Sequence, residues 1–149
     1  MNDLLIKGGT LVDPAQAIHG TKDVAFSNRK VVEVADDLPA NESREVINAK
    51  GLIVTPGLID LHVHLREPGQ TSKETIATGT AAAAAGGFTS VVCMPNTSPA
   101  IDNPSTVALI QDKAERDAIV NVFVTGAITA GIAGKELAPI GSLKQAGVV

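Results

Sequence analysis

The sequence predicts an α/β protein in which a small β-rich module precedes a parallel sheet covered by helices. Up to about residue 50, the chain consists of short β-rich runs separated by turn residues. Beyond that point, apolar runs typical of buried strands alternate with helical segments that begin at capping residues and end at glycine. Strands and helices that alternate in this way form parallel sheets with right-handed crossovers.

The β-rich module is predicted from three runs, which read LLIKGGTLVD, DVAFSNRKVVEVAD and REVINAKGLIVTPG. They are rich in residues that favour strands, and turn signals such as Gly-Gly, Asn-Arg-Lys and Asp-Asp interrupt them. We therefore expect a small antiparallel β module over residues 1–51 and a second domain over residues 52–149.

The first two strands and helices of the second domain follow from local signals. LIDLHVHL predicts a strand, and the next helix should start where Thr71 and Glu74 stand at capping-box spacing. Its alanine-rich body, ATGTAAAAA, should stop at Gly86-Gly87. FTSVVCMPN predicts the second strand. Asn103 is a good helix cap and Pro104 fits a first turn, so a second helix is expected over STVALIQDKAERDA.

The remaining segments continue the alternation. IVNVFVTGAIT predicts a third strand, and KELAPIGSLKQAG can hold a third helix that ends at Gly147, after which Val148 and Val149 predict the start of a fourth strand. About three βα units are present, whereas a closed (β/α)₈ barrel takes roughly 250 residues. The pattern fits an open doubly wound sheet or part of a closed barrel, and we expect further residues or another chain to complete it.

Composition and charge narrow the classes of function. The 149 residues are 44% hydrophobic and 19% charged, as in ordinary globular proteins. A net charge of -4 and the lack of a basic run argue against a surface for nucleic acid or anionic membranes. No apolar stretch reaches the roughly 20 residues of a membrane span. Cys93 is the only cysteine, which excludes an internal disulfide and fits a cytoplasmic protein whose partners are small molecules or proteins.

Residues 60–66, DLHVHLR, carry the most unusual pattern of the chain. Strict alternation along a strand would place four polar residues on one face, namely Asp60, His62, His64 and Arg66. His62 and His64 are a plausible pair of metal ligands, and the alternative is that they are packed or solvent-facing histidines. Their place toward the carboxyl end of the first parallel strand favours a metal site. A catalytic zinc site takes at least three protein ligands, so the others must lie elsewhere.

Three other residues have alternative interpretations. Asp60 either orients a metal ligand or satisfies buried donors. Cys93 lies in the apolar run SVVCM, and we predict a small buried core residue rather than a nucleophile. His19 stands alone in a predicted turn and is expected to be a solvated loop residue.

Residues 56–104, PGLIDLHVHLREPGQTSKETIATGTAAAAAGGFTSVVCMPNTSPAIDNP, resemble the opening of the dihydroorotase branch of the amidohydrolase superfamily. The words LLIKGGTLVDP and GLIVTPG resemble the β-module entry of cyclic amidases, so the resemblance covers most of the chain. Related hydantoinases and allantoinases share the Pro-Gly-x-x-Asp-x-His-x-His core, whereas the words HLRE and MPNT narrow the resemblance to dihydroorotases. It implies that residues 1–51 belong to a composite β-sandwich and residues 52–149 form the first three units of an incomplete (β/α)₈ TIM-like barrel.

The resemblance implies zinc-dependent, reversible hydrolysis of dihydroorotate to N-carbamoyl-L-aspartate, in de novo pyrimidine biosynthesis. It also implies that His62 and His64 hold Zn²⁺ and that Arg66 and Asn96 bind the substrate carboxylate. The planar guanidinium of arginine orients a carboxylate better than a point charge does, and an asparagine amide donates without adding charge.

Each of these substrate-binding residues also has a simpler interpretation. Taken without the resemblance, Arg66 could form a surface salt bridge with Glu67. Asn96 could start an Asx turn before Thr97 and Pro99.

The resemblance further implies groups that these 149 residues do not include. Family members complete a binuclear zinc site with a bridging carboxylate, further histidines and an aspartate base. We therefore expect the catalytic base to lie beyond Val149, and residues 1–149 alone to be inactive. The complete protein is expected to be an enzyme and a homo-oligomer.

Two alternative functions remain at this point. The first is a non-catalytic dihydroorotase-like subunit or fragment that scaffolds aspartate transcarbamoylase, and the presence of His62 and His64 argues against it. The second is an allantoinase or hydantoinase, whose substrates lack the ring carboxylate that would explain Arg66.

Overall fold

In the computed structural model, which describes residues 1–149, the chain divides into two units, Met1–Pro56 and Gly57–Val149. Both units contain a β-sheet and the second also contains α-helices, so the fold is mixed α/β. The division falls slightly after the predicted boundary between residues 51 and 52, because Ile53–Val54 pairs with a strand of the first unit. No helix of the structure is both long and apolar enough to cross a lipid bilayer.

The first unit contains a five-stranded sheet. Its strands are β1 (Asn2–Asp13), β2 (Ile18–Ser27), β3 (Lys30–Ala35), β4 (Ser43–Asn48) and β5 (Ile53–Val54), and short 3₁₀ turns occupy Pro14–Gln16 and Ala40–Glu42. β1 and β2 are antiparallel, as are β2 and β3, whereas β4 and β5 run parallel to β1. The expectation of an antiparallel module is therefore wrong for β4 and β5. The connection after β3 passes β2 and β1, so that β4 pairs with the edge of β1 opposite β2 and runs parallel to β1.

Two local features shape this sheet. Asn28 and Arg29 have φ angles of 51° and 62°, and this left-handed pair closes the β2–β3 hairpin at the predicted Asn-Arg-Lys turn. The register of β1 against β2 shifts between Ile6 and Gly9. A Cβ atom on Gly9 would lie 2.6 Å from Cγ2 of Val54, so only glycine lets β5 approach β1 this closely.

Asp23 is a buried carboxylate in the first unit, with 1% of its surface exposed. It accepts hydrogen bonds from Lys7 Nζ at 2.9 Å, from the Gly8 N–H at 2.7 Å and from the Leu38 N–H at 2.9 Å. Burial raises the pKa of this carboxyl, but the N–H donors and the charge of Lys7 outweigh burial and hold the pKa below its ordinary value. Asp23 thus ties β1 to the turn that follows β3. The apolar core beside it consists of Leu5, Ala25 and Leu38.

The second unit confirms the predicted alternation of strands and helices. In chain order its elements are β6 (Leu58–Val63), α1 (Ile76–Ala85), β7 (Phe88–Cys93), α2 (Pro104–Asp117), β8 (Asn121–Val124) and α3 (Ile140–Gln145), with a 3₁₀ turn at Ala130–Ile132. The three strands form a parallel sheet in the order β6-β7-β8. Val149 donates its N–H to the Val124 carbonyl at 3.1 Å, although residues 148 and 149 are not assigned to a strand.

The helix ends agree with the capping predictions at two of three points. Asn103 accepts the Thr106 N–H at 3.0 Å and Pro104 opens α2, as expected. α1 ends at Ala85, immediately before the Gly86-Gly87 stop. The predicted start of α1 at Thr71 is wrong, because the helix begins after Thr75, which forms a capping box with Thr78.

The core of the second unit lies between the sheet and its helices. Its ten buried members are Leu65, Ile76, Val91, Cys93, Ile101, Val107, Ile110, Val124, Ala138 and Leu143. Cys93 is 3% exposed, and burial raises the pKa of its thiol to about 11, so it is a protonated core residue, as predicted. Elsewhere on the outer strands Ile59, Leu61 and Phe123 are exposed.

Candidate active site

The carboxyl ends of β6, β7 and β8 lie at one edge of the parallel sheet, and the segments that follow them are bonded to one another. The Met94 N–H donates to the Val63 carbonyl at 2.9 Å, and the Thr125 N–H donates to the Cys93 carbonyl at 3.2 Å. Sites of parallel α/β proteins lie at this edge of the sheet. The segments after β6 and β7 carry most of the residues that the sequence predicted to be functional.

A β-bulge in β6 decides which of its side chains face this edge. Asp60 pairs with Val91 and Val63 pairs with Cys93, so β6 has one residue more than β7 between these pairs. The extra residue shifts the alternation and places Asp60 on the same side as Val63. Asp60 lines a cavity there together with Leu65 and residues of α1.

The prediction that Asp60 shares a face with the two histidines is therefore wrong. Its Oδ1 atom accepts the His62 backbone N–H at 3.0 Å, which is a local contact within the strand. Strict alternation could not reveal this, because the bulge depends on how β6 pairs with β7.

His62 and His64 stand next to each other at the end of β6. Their ring centroids are 5.1 Å apart, and the rings meet edge to face at 64°. Between them, Val63 packs against the core, so the two imidazoles project away from the helices. His62 is exposed and His64 is half-buried.

A hydrogen bond fixes the state of His64. Nδ1 of His64 lies 2.7 Å from Oδ1 of Asn96, which follows β7. An amide oxygen can only accept, so Nδ1 carries the hydrogen, and Nε2 is the ring nitrogen with a lone pair whenever the imidazole is neutral. This is the arrangement in which a second residue orients a metal-binding histidine. The same bond argues against the Asx-turn interpretation of Asn96, since its side-chain oxygen is directed to His64.

The donor set of His62 and His64 fits part of a zinc site. Two neutral imidazoles at this separation can bind one ion. No group of three or more histidine, cysteine, aspartate or glutamate side chains in the chain is placed to hold a metal ion. His62 and His64 offer at most two nitrogen donors to a metal ion, one fewer than the usual minimum for catalytic zinc.

Arg66 follows β6 and adopts an unusual backbone conformation. Its φ angle is 57°, in the left-handed region that non-glycine residues seldom adopt. Its side chain is half-buried, and none of the ion pairs of the chain includes it. The guanidinium is therefore available to an anionic ligand.

Glu67, considered above as a salt-bridge partner of Arg66, has other partners. It is only 7% exposed. Its Oε1 atom lies 2.7 Å from Lys113 Nζ on α2, and its Oε2 atom accepts the Ile76 N–H at 2.9 Å at the start of α1. Burial raises the pKa of Glu67, but Lys113 and the Ile76 N–H outweigh burial and hold the pKa below its ordinary value. The salt-bridge interpretation of Arg66 is therefore wrong.

The segment that carries Arg66 also packs against the segment that carries Asn96. The Ser98 N–H donates to the Pro68 carbonyl at 3.1 Å. A Cβ atom on Gly69, whose φ angle is 90°, would lie 2.0 Å from the Ser98 carbonyl oxygen. The structure thus brings together His62, His64 and Asn96 and holds Arg66 on an adjoining segment.

The sequence did not indicate the contact between Glu67 and Lys113, which lies beside these residues. Glu67 was visible only as the residue after Arg66, and Lys113 stands among ordinary charged residues of a predicted helix. His19, in contrast, is exposed on β2 rather than in a turn, and pairs with Val12 of β1.

The chain matches known proteins over most of its length. The family model described as Dihydro-orotase-like matches residues 51–149. A dihydroorotase of Citrifermentans bemidjiense is 55% identical over 147 residues, which are 99% of this chain and 35% of that protein. A dihydroorotase of Aquifex aeolicus is 48% identical over 149 residues, which are 100% of this chain and 35% of that protein. The chain thus spans about a third of the length of these curated relatives.

A solved structure has a similar fold. The dihydropyrimidinase of Brevibacillus agri is 34% identical, with a TM-score of 0.71, over 87% of this chain and 28% of that one.

Proposed function

The chain belongs to the dihydro-orotase-like family, and we propose that it forms the N-terminal part of a zinc-dependent dihydroorotase. The reaction is the reversible hydrolysis of dihydroorotate to N-carbamoyl-L-aspartate in pyrimidine biosynthesis. In this proposal residues 1–51 belong to a composite β-sandwich, and residues 52–149 form the first units of a (β/α)₈ barrel. A cytoplasmic location is part of the proposal, as are a homo-oligomeric state and an association with aspartate transcarbamoylase.

One observation carries the choice of substrate. Arg66 stands two residues after His64, is half-buried and has no carboxylate partner within the chain. A guanidinium that is partly removed from water and lacks an anionic partner is stabilised when a ligand supplies the anion. Dihydroorotate carries a ring carboxylate, whereas the substrates of hydantoinases and allantoinases do not. Arg66 therefore favours dihydroorotate over those substrates.

The residues of the chain then have distinct roles. His62 and His64 would hold zinc together with ligands from outside this chain, and the ion would supply an activated water and a positive charge for the ring amide. Asn96 accepts the Nδ1–H of His64, which keeps Nε2 free for zinc. Its amide nitrogen keeps two hydrogens that can donate to the substrate carboxylate. Arg66 binds the same carboxylate through its planar donors and orients the ring.

Two ligands are too few to hold zinc firmly. We therefore expect residues 1–149 alone to bind zinc weakly and to show no ring hydrolysis, as measured by elemental analysis and absorbance.

The proposal is tested by replacing Arg66 with Met in the complete protein. We expect kcat/KM for dihydroorotate to fall about 100-fold while the zinc content stays the same, because a desolvated bidentate contact is lost and the metal ligands are not changed. Dihydrouracil, which has the same ring without the carboxylate, serves as the comparison substrate. Equal turnover of both substrates, unaffected by the substitution, would instead indicate a hydantoinase.

A further inference from the structure

The segment between β6 and α1 contains one buried acid, and both of its carboxylate oxygens have partners. Oε1 of Glu67 pairs with Lys113 Nζ at 2.7 Å, and Oε2 accepts the Ile76 N–H at 2.9 Å. The Glu67 side chain is 8% exposed and that of Lys113 is 29% exposed. The contact therefore joins the segment after β6 to α1 and α2 at a site largely screened from water.

Glu67 directly follows Arg66, whose backbone has an uncommon conformation. The left-handed conformation of Arg66, with φ at 57°, persists only where the surroundings determine it. On one side, Leu65 is 5% exposed and belongs to the core. On the other side, Glu67 is held by α1 and α2. The Gln70 N–H adds a hydrogen bond to the Arg66 carbonyl at 2.9 Å. Arg66 thus stands between two buried residues, of which Leu65 belongs to the core and Glu67 contacts Lys113.

We propose that Glu67 and Lys113 are positioning residues that hold Arg66 where it binds the substrate carboxylate. This inference rests on the proposed function, in which Arg66 is the residue that binds this carboxylate. Neither Glu67 nor Lys113 touches substrate. Lys113 fixes the carboxylate of Glu67, and Glu67 fixes the backbone on which Arg66 stands. A guanidinium fork recognises a carboxylate only in the correct orientation, so a small backbone shift weakens substrate binding.

A purely structural ion pair would stabilise the fold without changing recognition of the carboxylate. The two roles differ in how Glu67 depends on Arg66. If Glu67 acts through Arg66, its replacement has no further effect on KM once Arg66 has been removed. If Glu67 only stabilises the fold, the two substitutions have independent effects.

The test uses the complete, zinc-loaded protein with dihydroorotate. The variants are Glu67→Gln, Arg66→Met, their combination, Lys113→Met and Lys113→Arg. Asp112→Asn is the matched control, because it removes an exposed ion pair with Arg116 on the same helix. KM, kcat and the thermal midpoint are measured for each.

We expect Glu67→Gln and Lys113→Met each to raise KM about tenfold with kcat within about twofold, and Lys113→Arg to restore most of the wild-type KM. In the Arg66→Met background, Glu67→Gln should change KM by less than about twofold. Asp112→Asn should leave KM unchanged. Lys113→Met and Lys113→Arg decide the question if Glu67→Gln does not fold, since the Lys113 side chain is less buried than that of Glu67, at 29% against 8% exposed.

The inference is overturned if Glu67→Gln raises KM equally in both backgrounds, or if KM stays constant while the thermal midpoint falls. A wild-type KM in Arg66→Met overturns the proposed role of Arg66, and this inference with it. A raised KM in Arg66→Met without any change in the Glu67 and Lys113 variants overturns this inference alone.

Discussion

Each of the two units buries one carboxylate against a lysine, but the surroundings of these ion pairs differ. In the first unit, Asp23 accepts from Lys7 and from two backbone N–H groups, and ties strands and turns of a sheet together. In the second unit, Glu67 pairs with Lys113 directly beside Arg66, at the carboxyl end of a parallel strand. A buried ion pair therefore does not by itself indicate a functional site. The residues that it holds in place decide its role.

The histidines of the two units differ in the same way. His19 of the first unit is exposed on β2. In the second unit, His64 stands 5.1 Å from His62, centroid to centroid, and is oriented by Asn96. The residues proposed to bind zinc and substrate all lie in the second unit, and we expect substitutions in the first unit to change stability alone.

The largest effect should come from replacing His62 with Ala in the complete protein. Removal of a nitrogen ligand should lower kcat/KM by more than about 100-fold and reduce the bound zinc, since even residues that merely support metal ligands matter 10- to 100-fold. Elemental analysis and ring-hydrolysis kinetics measure both effects. His19→Ala is the control and should change neither. A His62→Ala protein that keeps its zinc and turnover would show that His62 is not a zinc ligand.

A smaller effect, on stability alone, is expected for Asp23→Asn. The substitution leaves Lys7 without its buried partner. It also replaces a carboxylate that accepts from backbone N–H groups with an amide that has only one accepting oxygen. The free energy of unfolding should therefore fall by about 3 kcal/mol. KM for dihydroorotate should not change. Urea unfolding and steady-state kinetics provide the two measurements. Asp36→Asn, which removes a solvent-exposed pair with Lys22, should cost less than about 1 kcal/mol. An increase in KM for Asp23→Asn would show that the first unit also supports the site.

The smallest effect concerns acid stability, to which both carboxylates contribute. The folded-state pKa values of Asp23 and Glu67 lie below their ordinary values of 3.8 and 4.5. Each group therefore stabilises the fold above its ordinary pKa, and this contribution is lost as the pH falls through the lower pKa of the folded state. Asp23→Asn and Glu67→Gln should each flatten the decline of unfolding free energy below about pH 5. Hydrogen exchange followed separately in the two units would assign each contribution, and equal slopes in wild type and variants would contradict it.

Elements that depend on near neighbours could be predicted from the amino-acid sequence. The alternation of strands and helices in the second unit, the start of α2 at Asn103 and Pro104, and the burial of Cys93 all agree with the structure. Apolar periodicity and helix caps involve residues only a few positions apart, so the chain shows them directly. The adjacency of His62 and His64 follows from the same short spacing.

Features that depend on distant partners became visible only in the folded chain. β4 runs parallel to β1. A bulge in β6 places the Asp60 side chain on the face opposite the two imidazoles. Glu67 pairs with Lys113 rather than with Arg66. Register and crossover direction are set by pairing between separate strands, and a charged side chain has many possible partners along a sequence. Burial selects among these partners, because a carboxylate removed from water must find donors wherever the fold places them. The carboxylate of Glu67, the residue after Arg66, therefore pairs with Lys113 and the Ile76 N–H, and only the folded chain shows these contacts.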